Sequence, residues 1–391
     1  MRISAIIAEY NPFHLGHLLH ISKTRRSADE KILVIMSGSF TQRGEAAIFD
    51  KFSRTACALC CGADIVIELP TLFSLSSAQG FAEGAIRILN QLSCIDTLSF
   101  GSEIADISAL KTTADLLLLE NPQQKELLQK YLQKGKSFPA ARHAAFLDTY
   151  GHQAAAPLAL PNAILALEYL QALSRTKSTI SPRAIFREGA AYLSPQLDQQ
   201  FASALSIRKN IQEGDIAWKS HVPSQALPYC SCPTPEEAVF PHLLYLLRRF
   251  RPDELSKFFG MSEGLEYRCW KAGQKARTYQ ELLMLIKSKR YPMARIKRTL
   301  CCLLLGITQK SANDYLRAPL YARVLGVRKE SRSLLSLLNR YAQIPVLCSP
   351  KELKEENPML LLDTRATDLY HALQSPPAPA GQDYTKGLIC I

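Results

Sequence analysis

Two histidines near the start of the chain are the residues best suited to chemistry. His14 and His17 are three positions apart, so on a helix they lie one turn apart on the same face. Gly16, between them, has no side chain, so a planar base or a ribose could approach the backbone closely there. Two imidazoles beside a helix start can hydrogen-bond phosphoryl oxygens and stabilise the charge that develops as pyrophosphate leaves. The spacing therefore indicates phosphate chemistry.

The segment around these histidines predicts a strand, a tight loop and a helix. The apolar run 3–8 is typical of a buried parallel strand, Asn11 and Pro12 end it, and a helix is predicted to begin near Phe13 or His14. A histidine in a helical pattern is more often structural, and H-x-G-H also arises by chance, so the position after the first strand is what favours a function. In this context the motif resembles the H-x-G-H signature of nucleotidylyltransferases and class I aminoacyl-tRNA synthetases, which activate a substrate by attack on the α-phosphate of ATP.

Strand-like and helix-like segments alternate through the first 190 residues. Further strands are predicted at 31–36, 65–69 and 95–100, and helices at 49–61 and 73–92. This βαβ alternation predicts an α/β fold, a Rossmann-like parallel sheet with helices on both faces. Ligands bind at the carboxyl ends of the strands in such sheets. That rule selects the loop with the two histidines and the loop after the fourth strand, 100–103.

The same patterns predict the domain organisation. Residues 1–215 are predicted to form a nucleotidylyltransferase-like ATP-binding domain with a helical insertion at 104–160, and with a helix from Pro161 and a fifth strand at 179–187. Near a further helix start, at 201–211, Ser206 and Arg208 form a second predicted phosphate-binding arrangement. The alternative is an ordinary N-cap with a surface arginine. A Pro-, Ser- and Cys-rich linker is predicted at 216–235, and a mostly α-helical domain at 236–391.

Positive charge is concentrated in the C-terminal domain. Between Arg268 and Arg340 there are seventeen Lys or Arg residues and three acids, an excess larger than the net charge of +12 for the whole chain. A run of charge is often only a solvated face, but so one-sided an excess favours contact with a phosphate backbone. The densest segment predicts RNA-binding residues at Lys287, Lys289, Arg290, Arg295, Lys297 and Arg298.

Composition limits the class of protein. The chain of 391 residues is 47% hydrophobic and can bury a large core, and its pI near 9.1 favours a polyanionic partner. Met1 and Arg2 lead directly into a strand and no apolar run reaches membrane-spanning length, so a cytoplasmic protein without membrane contact is expected. The eleven cysteines predict reduced, mostly buried thiols and no metal centre. A site formed by Cys230, Cys232 and His242 is the open alternative.

Several blocks of the sequence together resemble one bacterial family. The blocks are EYNPFHLGH, SGSFTQRGEAAIFDKFSR, GADIVIELP, FAEGAI, FGSE, PNAILALEYLQAL, SEGLEYR, IKSKRYPMARIKR, RVLG and DTRATDLY. They span nearly the whole chain and resemble the tRNA(Met) cytidine acetate ligase family. The resemblance implies that acetate and ATP, with Mg²⁺, form acetyl-adenylate. The acetyl group then passes to the N4 amine of the wobble cytidine of elongator tRNA(Met), which gives N4-acetylcytidine.

The resemblance also implies which residues bind ATP, with His14 and His17 serving catalysis. The implied residues are Ile7, Ala8, Glu9, Tyr10, Asn11, Pro12, Phe13, His14, Leu15, Gly16, His17, Leu18, Leu19, His20, Gly101, Asn162 and Arg187. The residues that hold the acetate are not implied.

Other function classes stay open at this point. A small-molecule nucleotidylyltransferase would share the H-x-G-H loop but would have no evident use for a large basic domain. A non-catalytic RNA-binding protein would use that domain but would not need the histidine pair. An acetyl-CoA-dependent acetyltransferase is disfavoured because no R/Q-x-x-G-x-G/A loop is found. A P-loop is also absent from the sequence, which disfavours kinase-type use of ATP.

Overall fold

An eight-stranded sheet organises the protein, which is described here from a computed structural model of residues 1–187 and 202–391. The strands are β1 (Arg2–Ala8), β2 (Glu30–Ser37), β3 (Ile65–Leu69), β4 (Thr97–Ser102), β5 (Ser181–Phe186), β6 (Ala322–Val327), β7 (Val346–Leu347) and β8 (Ile389–Cys390). Their order is β5-β4-β1-β2-β3-β6-β7, and β8 pairs with β6. The first five strands are parallel, so the predicted Rossmann-like parallel sheet is confirmed.

Helices cover the sheet and form most of the C-terminal part. In chain order they are α1 (Leu15–Thr24), α2 (Lys51–Cys60), α3 (Thr71–Ser74), α4 (Ala78–Leu92), α5 (Ile107–Leu118), α6 (Pro122–Gln133), α7 (Phe138–Ala155), α8 (Pro161–Arg175), α9 (Ala204–Gln212), α10 (Phe240–Arg249), α11 (Pro252–Leu255), α12 (Leu265–Lys275), α13 (Tyr279–Ile286), α14 (Met293–Leu304), α15 (Gln309–Arg317), α16 (Ser333–Tyr341), α17 (Pro358–Ala372) and α18 (Gln382–Thr385). The single helix predicted at 73–92 is two helices, α3 and α4. They are separated at Ser77, whose side chain caps α4.

The strands are apolar because both faces of the sheet are covered. Ile3 and Ala5 of β1 point into a core shared with α3, α4 and α8, whereas Ile6 points into the opposite core with α2 and the start of α9. The alternation has the period of two that a pleated strand requires. A third core, built from Leu247, Leu265, Leu282 and their neighbours, holds α10 to α14 together.

The end of the chain returns to the sheet. The sequence predicts a mostly helical domain at 236–391 and does not predict these strands. β6 is antiparallel to β3, and β7 and β8 pair with β6. The run Ala322–Val327 is buried throughout because it is an inner strand. Such a run shows no alternation of apolar and polar residues, so the sequence alone does not identify it as a strand. The boundary at 236 remains a prediction, but residues 322–391 pack as part of the sheet.

The predicted linker is irregular yet packed. Short 3-10 turns occupy Ala217–His221 and Leu227–Tyr229, and Trp218 and Val222 are buried against the core that contains Phe49. Among the described residues, no helix is both long enough and apolar enough to cross a membrane.

Candidate active site

A cleft opens at the carboxyl ends of β1, β4 and β5, where the architecture predicts a ligand. Its cavity volume is about 310 Å³. Fourteen of the predicted ligand-binding residues line it: Ile7, Ala8, Glu9, Tyr10, Asn11, His14, Gly16, His17, Leu19, His20, Gly101, Asn162, Arg187 and Arg208.

Four residues of the predicted ATP-binding segment do not line the cleft. Pro12 and Phe13 are buried, and Phe13 packs edge-on against Tyr10 with ring centroids 4.8 Å apart. Leu18 packs against the core beneath the sheet, and Leu15 is the first residue of α1 and also lies outside the cleft lining. Because a helix presents only one face to a ligand, a continuous binding segment could not be expected.

The two histidines are held as a stacked pair by the start of α1. His14 is the N-cap residue, and its Nδ1 accepts the backbone N–H of Gly16 at 3.1 Å. Nδ1 of His17 accepts the backbone N–H of His14 at 3.3 Å, and the ring centroids are 3.7 Å apart. In each ring Nδ1 is therefore the acceptor, which places the proton of the neutral imidazole on Nε2. Each histidine offers one N–H donor.

Both rings are neutral at physiological pH. Burial, with the nearby Arg187, Arg208 and His221, lowers the pKa of His14 to about 3. Burial and the adjacent His14 hold the pKa of His17 well below its usual range. Since both imidazoles are uncharged, they can donate hydrogen bonds to phosphoryl oxygens without first breaking an ion pair with the protein.

A third histidine is tied into a chain of hydroxyl groups. Thr24 donates to the carbonyl oxygen of His20 at 2.8 Å, so it accepts from Ser99 at 2.7 Å, and Ser99 in turn accepts from Nε2 of His20 at 3.0 Å. Burial lowers the pKa of His20 to about 4. This chain fixes the tautomer and orientation of the ring.

The opposite wall of the cleft is built by β4, β5 and the start of α8. A Cβ on Gly101 would lie 3.0 Å from Cγ of Arg187, so the absence of a side chain at Gly101 leaves room for the side chain of Arg187. Glu103 accepts from Nδ2 of Asn162 at 2.6 Å and from the backbone N–H of Asn162 and Ala163. The amide of Asn162 is therefore fixed with its oxygen as the group left to accept from a ligand.

Glu103 lies in the loop 100–103 that the sequence selected, but only Gly101 of that loop was named as a ligand-binding residue. Glu103→Ala should lose both the cap of α8 and the orientation of Asn162, and we expect ATP affinity to fall about tenfold, or roughly 1.4 kcal/mol. Asp106→Ala is the control, because Asp106 also accepts backbone N–H groups at a helix start, as the N-cap residue of α5, but lies outside the cleft lining. Calorimetric titration with a non-hydrolysable ATP analogue measures both, and equal affinities of the two variants would contradict this role.

The predicted phosphate arrangement at α9 needs one correction. The hydroxyl of Ser206 donates back to the carbonyl oxygen of Ser203 at 2.8 Å, and Ser206 does not line the cleft. Ser203, the N-cap residue, lines it together with Ala204 and Leu205. Arg208 donates to the carbonyl oxygen of Asn11 at 2.7 Å. Its Nη2 is buried, lies 3.6 Å from Glu45 and makes no hydrogen bond to the described residues. The helix start and this guanidinium thus face the same space as the histidine loop.

A hairpin at 40–46, defined by the bridge between Phe40 and Ala46, forms the remaining wall. Its residues Gln42 and Arg43 line the cleft, and neither was predicted. Gly44, with a φ of +76°, lies directly on α14, since a Cβ there would be 2.1 Å from the backbone nitrogen of Arg298. No local sequence pattern indicates this contact, because it joins segments about 250 positions apart.

The contact with the hairpin uses two of the predicted RNA-binding cations. Lys297 forms ion pairs with Glu45 at 2.6 Å and Glu236 at 2.5 Å, and Arg298 donates to the carbonyl oxygen of Gln42 at 3.1 Å. Both are structural links between α14 and the cleft. Arg295 pairs with Glu263 at 3.1 Å. Lys287, Lys289 and Arg290 are exposed, and Arg290 also lies 3.7 Å from Glu263.

Four of the eleven cysteines lie close together outside the cleft. Sγ of Cys57 lies 3.9 Å from that of Cys230, and Sγ of Cys60 lies 3.8 Å from that of Cys61. Cys57 and Cys60 are a C-x-x-C pair, which the sequence-based prediction overlooked. Within the described ranges, no group of three metal-binding side chains is arranged for a metal ion, so Cys230, Cys232 and His242 do not form one.

Comparison with known proteins places this cleft in a family. A family model described as HIGH nucleotidyl transferase matches residues 1–384. The tRNA(Met) cytidine acetate ligase of Acetivibrio thermocellus is 37% identical over 415 residues, which cover 100% of both chains. The chain belongs to the tRNA(Met) cytidine acetate ligase family. The enzyme of the same name from Caldanaerobacter subterraneus subsp. tengcongensis is 38% identical over 95% of each chain.

Solved structures agree with this membership. Thermotoga maritima TmcAL bound with alpha-thio ATP has a TM-score of 0.90 and 29% identity to this chain, with 100% of both chains covered. The apo form of the same protein has a TM-score of 0.92. The family resemblance seen in the sequence is thereby confirmed.

Proposed function

We infer that the protein is an ATP-dependent ligase that activates acetate as acetyl-adenylate and transfers the acetyl group to N4 of the wobble cytidine of elongator tRNA(Met). The observation that carries this inference is the stacked, neutral pair His14 and His17 in the cleft of a chain that resembles tRNA(Met) cytidine acetate ligases over its full length. ATP is the activating substrate, as in the HIGH nucleotidyl transferase family.

The cleft residues support a division of tasks in adenylation. The nucleoside is proposed to lie between Gly101, Asn162 and Arg187, and the phosphates between the histidine pair and the start of α9. The Nε2–H donors of His14 and His17 then face the oxygens that gain charge when an acetate oxygen attacks the α-phosphorus and pyrophosphate leaves. Arg208 supplies a fixed positive charge on the same side.

Mg²⁺ is proposed to enter with ATP. The cleft carboxylates of the described residues are Glu9 and Glu103, and Glu103 is fully used in holding Asn162 and Ala163. The described part of the cleft therefore offers no cluster of carboxylates, which fits an ion held by phosphate oxygens and water. A cytoplasmic location, where tRNA and ATP are available, is part of the same proposal.

One assay tests the proposal against its alternatives. The protein is incubated with labelled acetate, ATP and total tRNA, and the nucleosides of the tRNA are then analysed. Labelled N4-acetylcytidine that requires ATP is the expected result. Efficient acetylation from acetyl-CoA without ATP would overturn acetate as the acyl donor, and an adenylylated small molecule with unmodified tRNA would favour the alternative transferase.

The tRNA surface gives a separate prediction. Lys287, Lys289 and Arg290 are exposed and lie together after α13, so we propose that they contact tRNA phosphates. Replacing all three by Ala should weaken tRNA binding and reduce the salt dependence of log K by about two to three units. The control replaces Lys130, Lys134 and Lys136, exposed lysines at α6, by Ala. Unchanged tRNA affinity and salt slope in the first variant would show that its cations are only a solvated face.

A further inference from the structure

The two half-reactions of the proposed function, on which this inference rests, differ in their need for a base. Acetate attacks the α-phosphorus as a carboxylate and releases no proton. The N4 amine of cytosine must lose a proton when its nitrogen bonds to the acetyl carbon, because the product is an uncharged amide. A positioned proton acceptor typically accelerates such a step 10²- to 10⁴-fold. The cleft therefore needs a proton acceptor for acetyl transfer, in addition to the hydrogen-bond donors that serve adenylation.

The histidines lining the cleft are unsuited to accept this proton. Nδ1 of His14 and Nδ1 of His17 each already accept a backbone N–H, and Nε2 of each ring carries the proton. His20 donates through Nε2 to Ser99 on the β4 side, and its lowered pKa of about 4 makes it a weak base. These rings act as donors and positioning groups.

The other titratable groups of the cleft are also engaged. Both carboxylate oxygens of Glu103 accept N–H groups from the start of α8. Tyr10 is buried, and burial raises the pKa of its phenol further above the neutral range. Tyr169 is likewise a phenol, which at neutral pH is a proton donor rather than an acceptor.

Glu9 is different in position and in hydrogen bonding. It follows the last residue of β1, lines the cleft and is half-buried. Its Oε1 accepts the backbone N–H of Gln42 at 2.6 Å, while Oε2 has no hydrogen-bond partner within residues 1–187 and 202–391. Arg54 fixes the backbone by donating to the carbonyl oxygen of Glu9 at 2.7 Å. The carboxylate is thus held by one oxygen and has the other available.

We propose that Glu9 is the general base of acetyl transfer, and that the cytosine N4 amine is bound between Glu9 and the 40–46 hairpin. As the N4–C bond forms, the C–O bond to the adenylate phosphate breaks. The N4 proton passes to Oε2 of Glu9, and AMP leaves with the bonding electron pair. Glu9 then returns the proton to solvent.

The surroundings of Glu9 suit this task. Burial raises the pKa of its carboxyl, with a smaller contribution from Glu45, while the N–H of Gln42 and the charges of Arg43 and Arg208 act in the opposite direction. A raised pKa strengthens a carboxylate as a base. Acetyl transfer should accordingly slow as the pH falls through this raised pKa, since the protonated carboxyl cannot accept.

Glu9→Gln tests the proposal because the amide oxygen can still accept from Gln42 while it cannot act as a base. Two rates are compared: acetate-dependent exchange of pyrophosphate into ATP, and single-turnover transfer of acetyl to tRNA measured as N4-acetylcytidine. We expect transfer to fall about 100-fold more than exchange. Glu9→Asp should recover part of the transfer rate, and Glu9→Gln should lose the acid limb of the pH profile.

The outcomes are distinct. Glu83→Gln, which changes a partly exposed carboxylate that pairs with Arg175 on the outer side of α4 and lies outside the cleft lining, is the control and should keep the wild-type ratio of the two rates. An equal fall of both rates in Glu9→Gln, or normal transfer, would overturn the role of Glu9. Absence of acetate-dependent exchange in the wild-type protein would instead overturn the proposed function itself, and with it this assignment.

Discussion

Replacing either His14 or His17 by Ala is expected to lower the rate of acetate-dependent pyrophosphate exchange by roughly 30- to 1,000-fold, or about 2 to 4 kcal/mol. Each variant removes one Nε2–H donor from a buried site where water cannot replace it efficiently. The effect should appear in the rate constant more than in ATP affinity, because the charge to be stabilised develops in the transition state. Quenched-flow or steady-state exchange measurements at saturating ATP give the numbers.

Controls separate this catalytic role from the folding role of the same residues. His14 caps α1, so His14→Ala also removes an N-cap. His14→Asn retains a capping acceptor but not the ring, and should be as inactive as the Ala variant while regaining stability. His152→Ala, at an exposed position near the end of α7, should behave as wild type. Near-normal exchange by both His14→Ala and His17→Ala would remove the histidine pair from the mechanism.

The local structure that carries the two histidines could be predicted from the sequence because its signals are local. The apolar run of β1, the break at Asn11 and Pro12 and the one-turn spacing of the histidines all lie within about twenty residues. The predicted strand at 65–69 agrees with β3 as observed, and the strand predicted at 95–100 is displaced to Thr97–Ser102. Such elements follow from side-chain periodicity and turn residues, which need no tertiary partner.

The hairpin side of the site depends on contacts that periodicity does not encode. Lys297 and Arg298 belong to a basic run that indicates a nucleic-acid surface, yet Glu45, Glu236 and the backbone of Gln42 bind them. Gly44 is required by the close approach of α14 and not by the turn alone. In the same way, the position of β6 in the sheet depends on its pairing with β3, some 255 positions earlier in the chain. These pairings bring the C-terminal helices against the cleft.

The second prediction concerns a buried ionic cluster. It lies where the end of the chain returns to the sheet. Nζ of Lys51 lies 2.7 Å from Glu68 on β3 and 2.8 Å from Asp383 on α18. Arg323 on β6 adds a contact of 2.8 Å with Asp383. All four side chains are 1 to 2% exposed, so none of the charges can be hydrated. The cluster therefore joins α2, β3, β6 and α18 through charges that must stay paired.

Lys51→Met should lower the free energy of unfolding by about 3 to 5 kcal/mol, because Arg323, 3.9 Å from Glu68 and 2.8 Å from Asp383, then has to balance two buried carboxylates alone. The loss is the cost of an uncompensated buried charge rather than the net value of the pair, so Lys51→Met combined with Glu68→Gln should recover part of it. Lys125→Met is the matched control, since Lys125 pairs with Glu120 on the surface, with side chains 62% and 87% exposed. An exposed pair contributes less than about 1 kcal/mol. Urea unfolding followed by circular dichroism compares the variants. If Lys51→Met lost no more stability than Lys125→Met, the cluster would have to be hydrated in solution, and the C-terminal strands would be held by strand pairing and apolar packing instead.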